Sequence, residues 1–186
     1  MSVHSHLQAI VQELGKTLEQ IDAGDIDALL AAIDRASRVF TAGAGRSGLV
    51  MRGFAMRLMH LGCTTHVVGE TTTPAVAADD LLLVGSGSGA TPSVLSNAQK
   101  ARAAGASVAL ITTAGESPIG RLAGYTIVIP APTPKIEQAR DLHSVQPMGS
   151  LFEQSLGLLL DAMVIALMAQ TGQDQDTMYA RHANLE

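Results

Sequence analysis

Two glycine- and serine-rich segments carry residue types that can hold an oxyanion. They run from Gly43 to Gly48 and from Gly85 to Thr91, and each joins an apolar stretch to a helix-forming one. At a helix N-terminus, unpaired N–H groups and the helix dipole attract negative charge, while glycine lets the backbone approach it closely. The hydroxyl groups that would add donors belong to Ser47, Ser86, Ser88 and Thr91. This pattern favours a phosphate site, although tight turns and capped helix ends would need the same residue types.

A dinucleotide site is the main alternative for the first segment. It matches G-x-G-x-x-G after a strand, with Glu70 at a suitable distance for a ribose contact. Two features count against it: helices precede the first strand, and the connection from Glu70 to Asp80 leaves little room for a crossover helix. A P-loop is also disfavoured, because neither segment ends in Gly-Lys-Ser/Thr.

Both segments must lie at strand-to-helix turns, and the order of elements along the chain provides such turns. The run from Leu81 to Val84 is apolar without alternation, as in a parallel strand covered on both faces. The predicted strands span 38–42, 65–68, 81–84, 107–112 and 125–129. The predicted helices span 7–22, a segment capped by Asp25, 47–61, the stretch between Gly89 and Gly105, 119–123 and 150–170. This alternation predicts an α/β fold with a doubly wound, mostly parallel five-stranded sheet flanked by helices.

The domain organisation follows from length and proline content. A chain of 186 residues predicts one domain, 1–186, with N-terminal helices at about 5–36 and a C-terminal helical segment at about 150–186. Prolines between 130 and 147 predict a long loop over 131–149, of a kind that is often functional.

Composition excludes several classes of partner. Aromatic residues make up 3% of the chain, and 12 Lys and Arg stand against 17 Asp and Glu, so no basic or stacking surface for nucleic acid is expected. The apolar stretch from Leu156 to Ala169 contains Asp161 and is shorter than the ~20 residues of a membrane span, so we expect a buried helix and no membrane association. The N-terminus shows no secretory pattern.

Cysteine and histidine usage indicates no metal site. Cys63 is the single cysteine, which excludes an intramolecular disulfide framework and suggests a small apolar filler in a reducing cytoplasm. Five histidines show no metal-ligand spacing with acids or cysteine. They are His4, His6, His60, His66 and His143.

The segment Gly85-Ser86-Gly87-Ser88-Gly89-Ala90-Thr91, paired with Ser47, resembles the phosphosugar-binding signature of the sugar isomerase (SIS) domain family. Longer segments resemble the 6-phospho-3-hexuloisomerases within that family. They are 42–48, 54–62, 67–71, 146–153 and 180–186, so the resemblance covers nearly the whole chain. It implies an α-β-α sandwich and the interconversion of D-arabino-3-hexulose 6-phosphate and fructose 6-phosphate through an enediol, in the ribulose monophosphate pathway of formaldehyde fixation. It also implies that neither a metal nor an organic cofactor takes part.

The resemblance assigns roles that the residues alone leave open. Glu153 would be the catalytic base, whereas the spacing Ser150-x-x-Glu153 by itself favours a capping box. His182 would be a second catalytic residue, in a terminal segment that can approach a neighbouring subunit's site, although a lone terminal histidine is more often incidental. Arg46 would either pair with phosphate or lie outward as a solvated charge.

The expected assembly is a homo-oligomer, with a tetramer favoured and sites near subunit interfaces. Apolar residues on the first helix and on the helix at 150–170 exceed what one small sheet needs. The resemblance implies functional coupling to a 3-hexulose-6-phosphate synthase. Three alternatives remain open: a related aldose–ketose isomerase for pentose or heptose phosphates, a non-catalytic sugar-phosphate-sensing SIS module, and a dinucleotide-dependent oxidoreductase.

Overall fold

The apolar runs of the sequence form a five-stranded sheet in which every neighbouring pair is parallel. The computed structural model describes residues 2–133 and 143–185. The strands, in chain order, are β1 Val39–Gly43, β2 Thr65–Val67, β3 Leu81–Gly85, β4 Ser107–Thr112 and β5 Tyr125–Val128. The sheet order is β2-β1-β3-β4-β5. β3 lies at the centre and is buried throughout, which is why its sequence lacks polar alternation.

Helices cover both faces of the sheet. They are α1 Val3–Leu18, α2 Ala23–Arg35, α3 Gly45–His60, α4 Pro92–Ala103, α5 Ser150–Thr171 and α6 Gln175–Tyr179. One core cluster joins α2, α3 and α5 to the sheet, and a second joins α4 to the opposite face. The α-β-α architecture expected from the sequence is confirmed.

Three details differ from the sequence-based prediction. The cap of α2 is Asp22, whose Oδ1 accepts from the N–H of Asp25, so Asp25 lies in the first turn instead. The first helix ends at Leu18. Residues 119–123 form successive turns and not a helix, because so short a segment gains too few hydrogen bonds to offset the cost of helix nucleation. The N–H of Ile119 donates to the Gly89 carbonyl at 2.9 Å and ties this segment to the turn after β3.

The last long helix, α5, is the most apolar helix of the described residues. By length and composition it could cross a membrane, but half of its most apolar stretch is buried in the protein. It packs against α1, α2 and α3. This placement matches the buried helix expected from the sequence. Of the predicted loop 131–149, residues 134–142 lie outside the described residues, and 143–149 contain no helix or strand.

Candidate active site

The sheet order places both glycine-rich turns at one point on the sheet edge. The chain leaves β1 towards β2 on one side and returns across it to β3 on the other. In open parallel sheets, ligands bind beyond the carboxyl ends of the strands at such a reversal. Gly43, the last residue of β1, is in register with Gly85, the last residue of β3, so the two turns leave the sheet side by side.

Close backbone approach explains two of the glycine positions. A Cβ on Gly43 would lie 2.9 Å from Gly48 Cα, so α3 could not start this close to β1 with a larger residue. Gly89 adopts φ +56°, a conformation that favours glycine, and a Cβ there would collide with Ser117 Oγ. The carbonyl of Gly87 accepts from the N–H of Thr113, which fixes the second turn to the end of β4.

The two turns and the start of α5 enclose a cavity of about 190 Å3, which we call the switch-point cavity. It brings together six residues predicted from the sequence. They are Ser47, Ser86, Gly87, Ser88, Thr91 and Glu153. Ser47 and Ser86 are buried, so their hydroxyl groups are shielded from bulk water. Gly89 and Ala90 shape the second turn but are not among the lining residues.

Both helix N-termini at the cavity lack side-chain caps. The N-cap of α3 is Ala44 and that of α4 is Thr91, and neither makes a side-chain cap hydrogen bond. Ser88 Oγ accepts from the N–H of Ala90 at 3.3 Å, which stabilises the turn and not the helix end. The structure therefore does not support the alternative in which these hydroxyl groups only cap helices. Within the part of the chain that the structure describes, the first N–H groups of both helices have no side-chain cap, as an anion site requires.

Glu153 lies one turn into α5 with its carboxylate in the cavity. The N-cap is Gly149 without a side-chain bond, and the N–H of Ser150 donates to the Pro147 carbonyl, so the capping box that spacing alone favours is not formed. Glu153 Oε2 is buried, lies 3.0 Å from Arg46 Nη1 and accepts no regular hydrogen bond from the described residues. Arg46 Nη1 donates to Ser150 Oγ at 3.0 Å. A buried carboxylate oxygen with a cation beside it but no hydrogen bond can accept a proton from a ligand.

Arg46 lies at the rim of the switch-point cavity, and its pairing with a phosphate group stays a prediction. Its side chain is 57% exposed, but its guanidinium contacts the carboxylate of Glu153 at the rim of the cavity. Glu70, considered above as a ribose ligand, pairs with Arg52 and is not among the residues that line the cavity. The carboxylate expected for a dinucleotide is thus engaged elsewhere.

His182 lies at the far end of α3, away from the switch-point cavity of its own chain. Its ring stacks on that of His60, with centroids 5.3 Å apart. Ser47 and His60 mark opposite ends of α3, so about 20 Å separates the stack from the cavity. Arg181 Nη1 donates to the His60 carbonyl at 2.9 Å and holds the terminal segment there. Burial, followed by the charges of Arg57 and His182, lowers the pKa of His60 below its ordinary value.

Four further residues line the cavity without having been predicted as site residues: Thr133, Met148, Gly149 and Phe152. Met148 has φ +59°, the one positive φ of a non-glycine residue in the described part of the chain. Such strain concentrates at functional sites. The sequence signals near Met148, Gly149 and Phe152 were Pro147 and the start of a long helix. These signals indicate where a loop ends and a helix begins, but they do not show that the residues contact the cavity.

Comparisons with known proteins agree with this geometry. The SIS domain family matches residues 32–156. The 3-hexulose-6-phosphate isomerase of Bacillus subtilis (strain 168) is 44% identical over 186 residues, 100% of both chains. The protein of that name from Mycobacterium gastri is 44% identical over 99% of this chain and 92% of its own. A crystal structure of a Methanococcus jannaschii protein, described as inferring the function of 3-hexulose-6-phosphate isomerase, has a TM-score of 0.84 at 33% identity, covering 98% of this chain and 99% of that chain.

Proposed function

The chain belongs to the SIS domain family and, within it, to the 3-hexulose-6-phosphate isomerases, and from this premise we propose that the switch-point cavity interconverts D-arabino-3-hexulose 6-phosphate and fructose 6-phosphate. The family resemblance predicted from the sequence is thereby confirmed. An enzyme with this activity is called 3-hexulose-6-phosphate isomerase or 6-phospho-3-hexuloisomerase. The observation that carries the assignment to this cavity is the meeting of two uncapped, serine-rich helix starts with one buried carboxylate oxygen.

The chemistry moves a carbonyl group from C3 to C2. A base removes the C2 proton, the C2–H electron pair forms the C2–C3 double bond, and the carbonyl pair moves onto O3. In the enediolate the proton of O2 moves to O3, O2 becomes the new carbonyl oxygen, and the electron pair of the C2–C3 double bond takes up at C3 the proton that the base had removed from C2. A 3-ketose esterified at O6 cannot close a five-membered ring onto C3, so this substrate enters in its open form. Proton transfer is therefore the central task of the site.

Glu153 is placed to remove and return the carbon proton. Its Oε2 is buried and accepts no regular hydrogen bond from the described residues, so a lone pair is available to the substrate. Arg46 Nη1 lies 3.0 Å from Glu153 Oε2, so the guanidinium group is beside the proposed base. A cation there would stabilise the negative charge that develops on O2 and O3.

The serine turns would hold the phosphate group of the substrate. The hydroxyl groups of Ser47, Ser86 and Thr91 lie in the cavity with the starts of α3 and α4. These neutral donors suit a chain with net charge -5, because the phosphate needs no cationic surplus when N–H groups and helix dipoles face it. Binding energy from the phosphate then orients the reacting carbons beside Glu153.

We further propose that the active molecule is a homo-oligomer, a tetramer, in which His182 of one subunit reaches the cavity of another. His182 is separated from its own cavity by about the length of α3, so it can act only between subunits. Large apolar side chains are exposed on three helices, as an interface would require. They include Val3, Leu7 and Val11 on α1, Leu49 on α3 and Ile165 on α5.

The cellular setting is a proposal of the same kind. The substrate is the product of 3-hexulose-6-phosphate synthase, so we propose functional coupling to that enzyme in ribulose monophosphate formaldehyde fixation, in the cytoplasm. No metal or organic cofactor is needed for the proton transfers written above. Among the described residues, no group of three or more His, Cys, Asp or Glu side chains could hold a metal ion.

The deciding experiment supplies the purified protein with enzymatically made 3-hexulose 6-phosphate and measures formation of fructose 6-phosphate. Arabinose 5-phosphate serves as the control sugar for a related aldose–ketose isomerase. We expect conversion of the hexulose alone. Conversion of arabinose 5-phosphate instead would move the assignment to that alternative, and tight binding without conversion of either sugar would favour a sensing module.

A further inference from the structure

One carboxylate of α1 holds the chain segment that leads into α5. Glu13 Oε2 accepts from Ser144 Oγ at 2.9 Å, and Glu13 Oε1 accepts from the N–H of Val145 at 2.8 Å. The side-chain nitrogen of Gln146 also approaches Oε2, at 3.4 Å. Three successive residues of the loop therefore contact one acidic side chain more than a hundred positions away in the sequence.

The contact continues into the helix that carries the proposed base. Gln146 is buried, and its Oε1 accepts from Gln154 Nε2 at 2.7 Å. Gln154 is the neighbour of Glu153 on α5. On the chain itself, Gln146 is followed by Pro147 and then by Met148 and Gly149, which line the switch-point cavity. Glu13 is thus connected to the cavity wall through the backbone and to the start of α5 through a side chain.

This loop needs such a support. Residues 143–149 contain no helix or strand whose own hydrogen bonds could fix them. Met148 within it has φ +59°, a strained conformation that persists only where the surroundings hold it. Hydrogen bonds to an ionised carboxylate are stronger than those between neutral groups. Because α1 packs against α5, Glu13 offers that charge from a helix already fixed to the catalytic one.

We propose that Glu13 is a positioning residue for the isomerisation, which holds 144–149 and the first turn of α5 so that Glu153 faces C2 of the bound sugar. The inference rests on the proposed function. It also gives α1, which precedes the matched SIS domain region at 32–156, a role in the reaction beyond packing. Among the described residues, the hydrogen bonds of Glu13 go to 144–146 and not to the phosphate turns, so we expect its effect on the chemical step and not on binding of the phosphate group.

The test compares Glu13→Gln and Glu13→Ala with Glu19→Gln, an exposed control at the end of the same helix. We expect kcat to fall about tenfold or more in Glu13→Ala, since small displacements of a catalytic group cost that much, with KM within about twofold of the parent. Glu13→Gln keeps an oxygen acceptor for the Val145 N–H and should retain more kcat. Hydrogen–deuterium exchange of 143–149 should rise in step with the loss, while Tm stays close to that of Glu19→Gln.

Several outcomes would overturn the inference. They are an unchanged kcat, a rise in KM alone, a fall in kcat without faster exchange of 143–149, or a loss explained by lowered Tm. Failure of the proposed function is a separate result, seen as absent turnover in the parent protein. The exchange measurement then still decides whether Glu13 orders the loop, because it needs no substrate.

Discussion

At the residue scale, the Glu153 carboxylate is the group on which turnover should depend most. Replacing it with glutamine keeps the size and polarity of the side chain but removes the base. We expect Glu153→Gln to lower kcat by about 10²–10⁴-fold, the usual contribution of a positioned general base. Steady-state kinetics with 3-hexulose 6-phosphate would measure the loss, and calorimetry would test whether a sugar phosphate still binds.

Asp161→Asn provides the matched control for this change, because it removes an exposed carboxylate from the same helix. It should leave kcat within about twofold of the parent, as surface changes away from the site usually do little. Near-normal turnover in Glu153→Gln would eliminate Glu153 as the base. Loss of both turnover and sugar-phosphate binding would indicate that the glutamine disturbs the cavity itself.

The sequence could indicate the residue types of this site but not the contacts of each residue. Ser47 and Ser86 were predicted because strand, glycine and hydroxyl occur in a recognisable order, and both line the cavity. Glu153 was ambiguous, because a capping box and a catalytic carboxylate have the same spacing; the N–H of Ser150 donating to Pro147 separates them. The Arg46 contact with Glu153 depends on how close α3 lies to α5, which no local pattern encodes.

At the element scale, an ion pair fixes the starts of β1 and β3, the two strands that end at the cavity. Arg38 donates to both carboxylate oxygens of Asp80, at 2.9 and 2.6 Å, and the N–H of Ala77 donates to the same group. Burial alone would raise the pKa of Asp80. The hydrogen bond from Arg38, that from Ala77 and the Arg38 charge outweigh it, so the pKa lies below its ordinary 3.8.

The direction of this shift fixes how stability depends on pH. A depressed carboxylate pKa stabilises the fold above the unfolded value, and that contribution is lost as pH falls below about 4 through the lower folded value. We expect Asp80→Asn to lower the free energy of unfolding by about 2 kcal/mol at neutral pH, and to remove part of the acid sensitivity of the parent. Urea unfolding at several pH values would measure both effects.

Asp79→Asn is the control for the ion pair, since Asp79 is the exposed neighbour of Asp80. It should keep both the stability and the acid response of the parent. Equal slopes of stability against pH below 4 in the parent and in Asp80→Asn would contradict the assignment.

The helices and strands could be predicted from the sequence where their burial gives a clear apolar pattern. β3 lies in the core on both faces and shows it as an unbroken apolar run. β4 occupies the residues predicted, Ser107–Thr112. The cap of α2 was misassigned because Asp22 and Asp25 are equally suitable caps three residues apart. The helix predicted at 119–123 was wrong because so short a segment does not offset the cost of helix nucleation, and its bond from Ile119 to Gly89, a partner distant in sequence, has no local signal.

At the scale of the whole molecule, the separation of Glu153 and His182 makes the assembly part of the proposed mechanism. The Arg181 contact and the stack on His60 hold His182 at the end of α3 opposite the cavity. Tyr179, which is 76% exposed, stacks on the ring of His182, so this segment presents an exposed surface to a neighbouring subunit. A complete site would therefore combine Glu153 of one subunit with His182 of another.

Mixed oligomers test this combination directly. We expect Glu153→Gln and His182→Ala to be nearly inactive as separate proteins. Co-expressed with different affinity tags and purified through both, they should form sites with an intact Glu153 from one subunit and an intact His182 from the other. With random pairing, about a quarter of the sites combine Glu153 of a His182→Ala subunit with His182 of a Glu153→Gln subunit, so about a quarter of the parent kcat per site should return. The readout is fructose 6-phosphate formation by the doubly purified species, with its mass confirming the oligomer.

A second pairing controls for effects of mixing itself. Glu153→Gln combined with the double variant Glu153→Gln and His182→Ala contains no intact base, so it should stay inactive in oligomers of the same size. Rescue in the first mixture and not in the second would place His182 in its neighbour's cavity. An inactive first mixture would mean that the two residues do not act between subunits. Because His182 lies about the length of α3 from its own cavity, the lost activity of His182→Ala would then be an indirect effect of the altered terminal segment, and Arg46 would remain beside Glu153 as the charged partner of the enediolate.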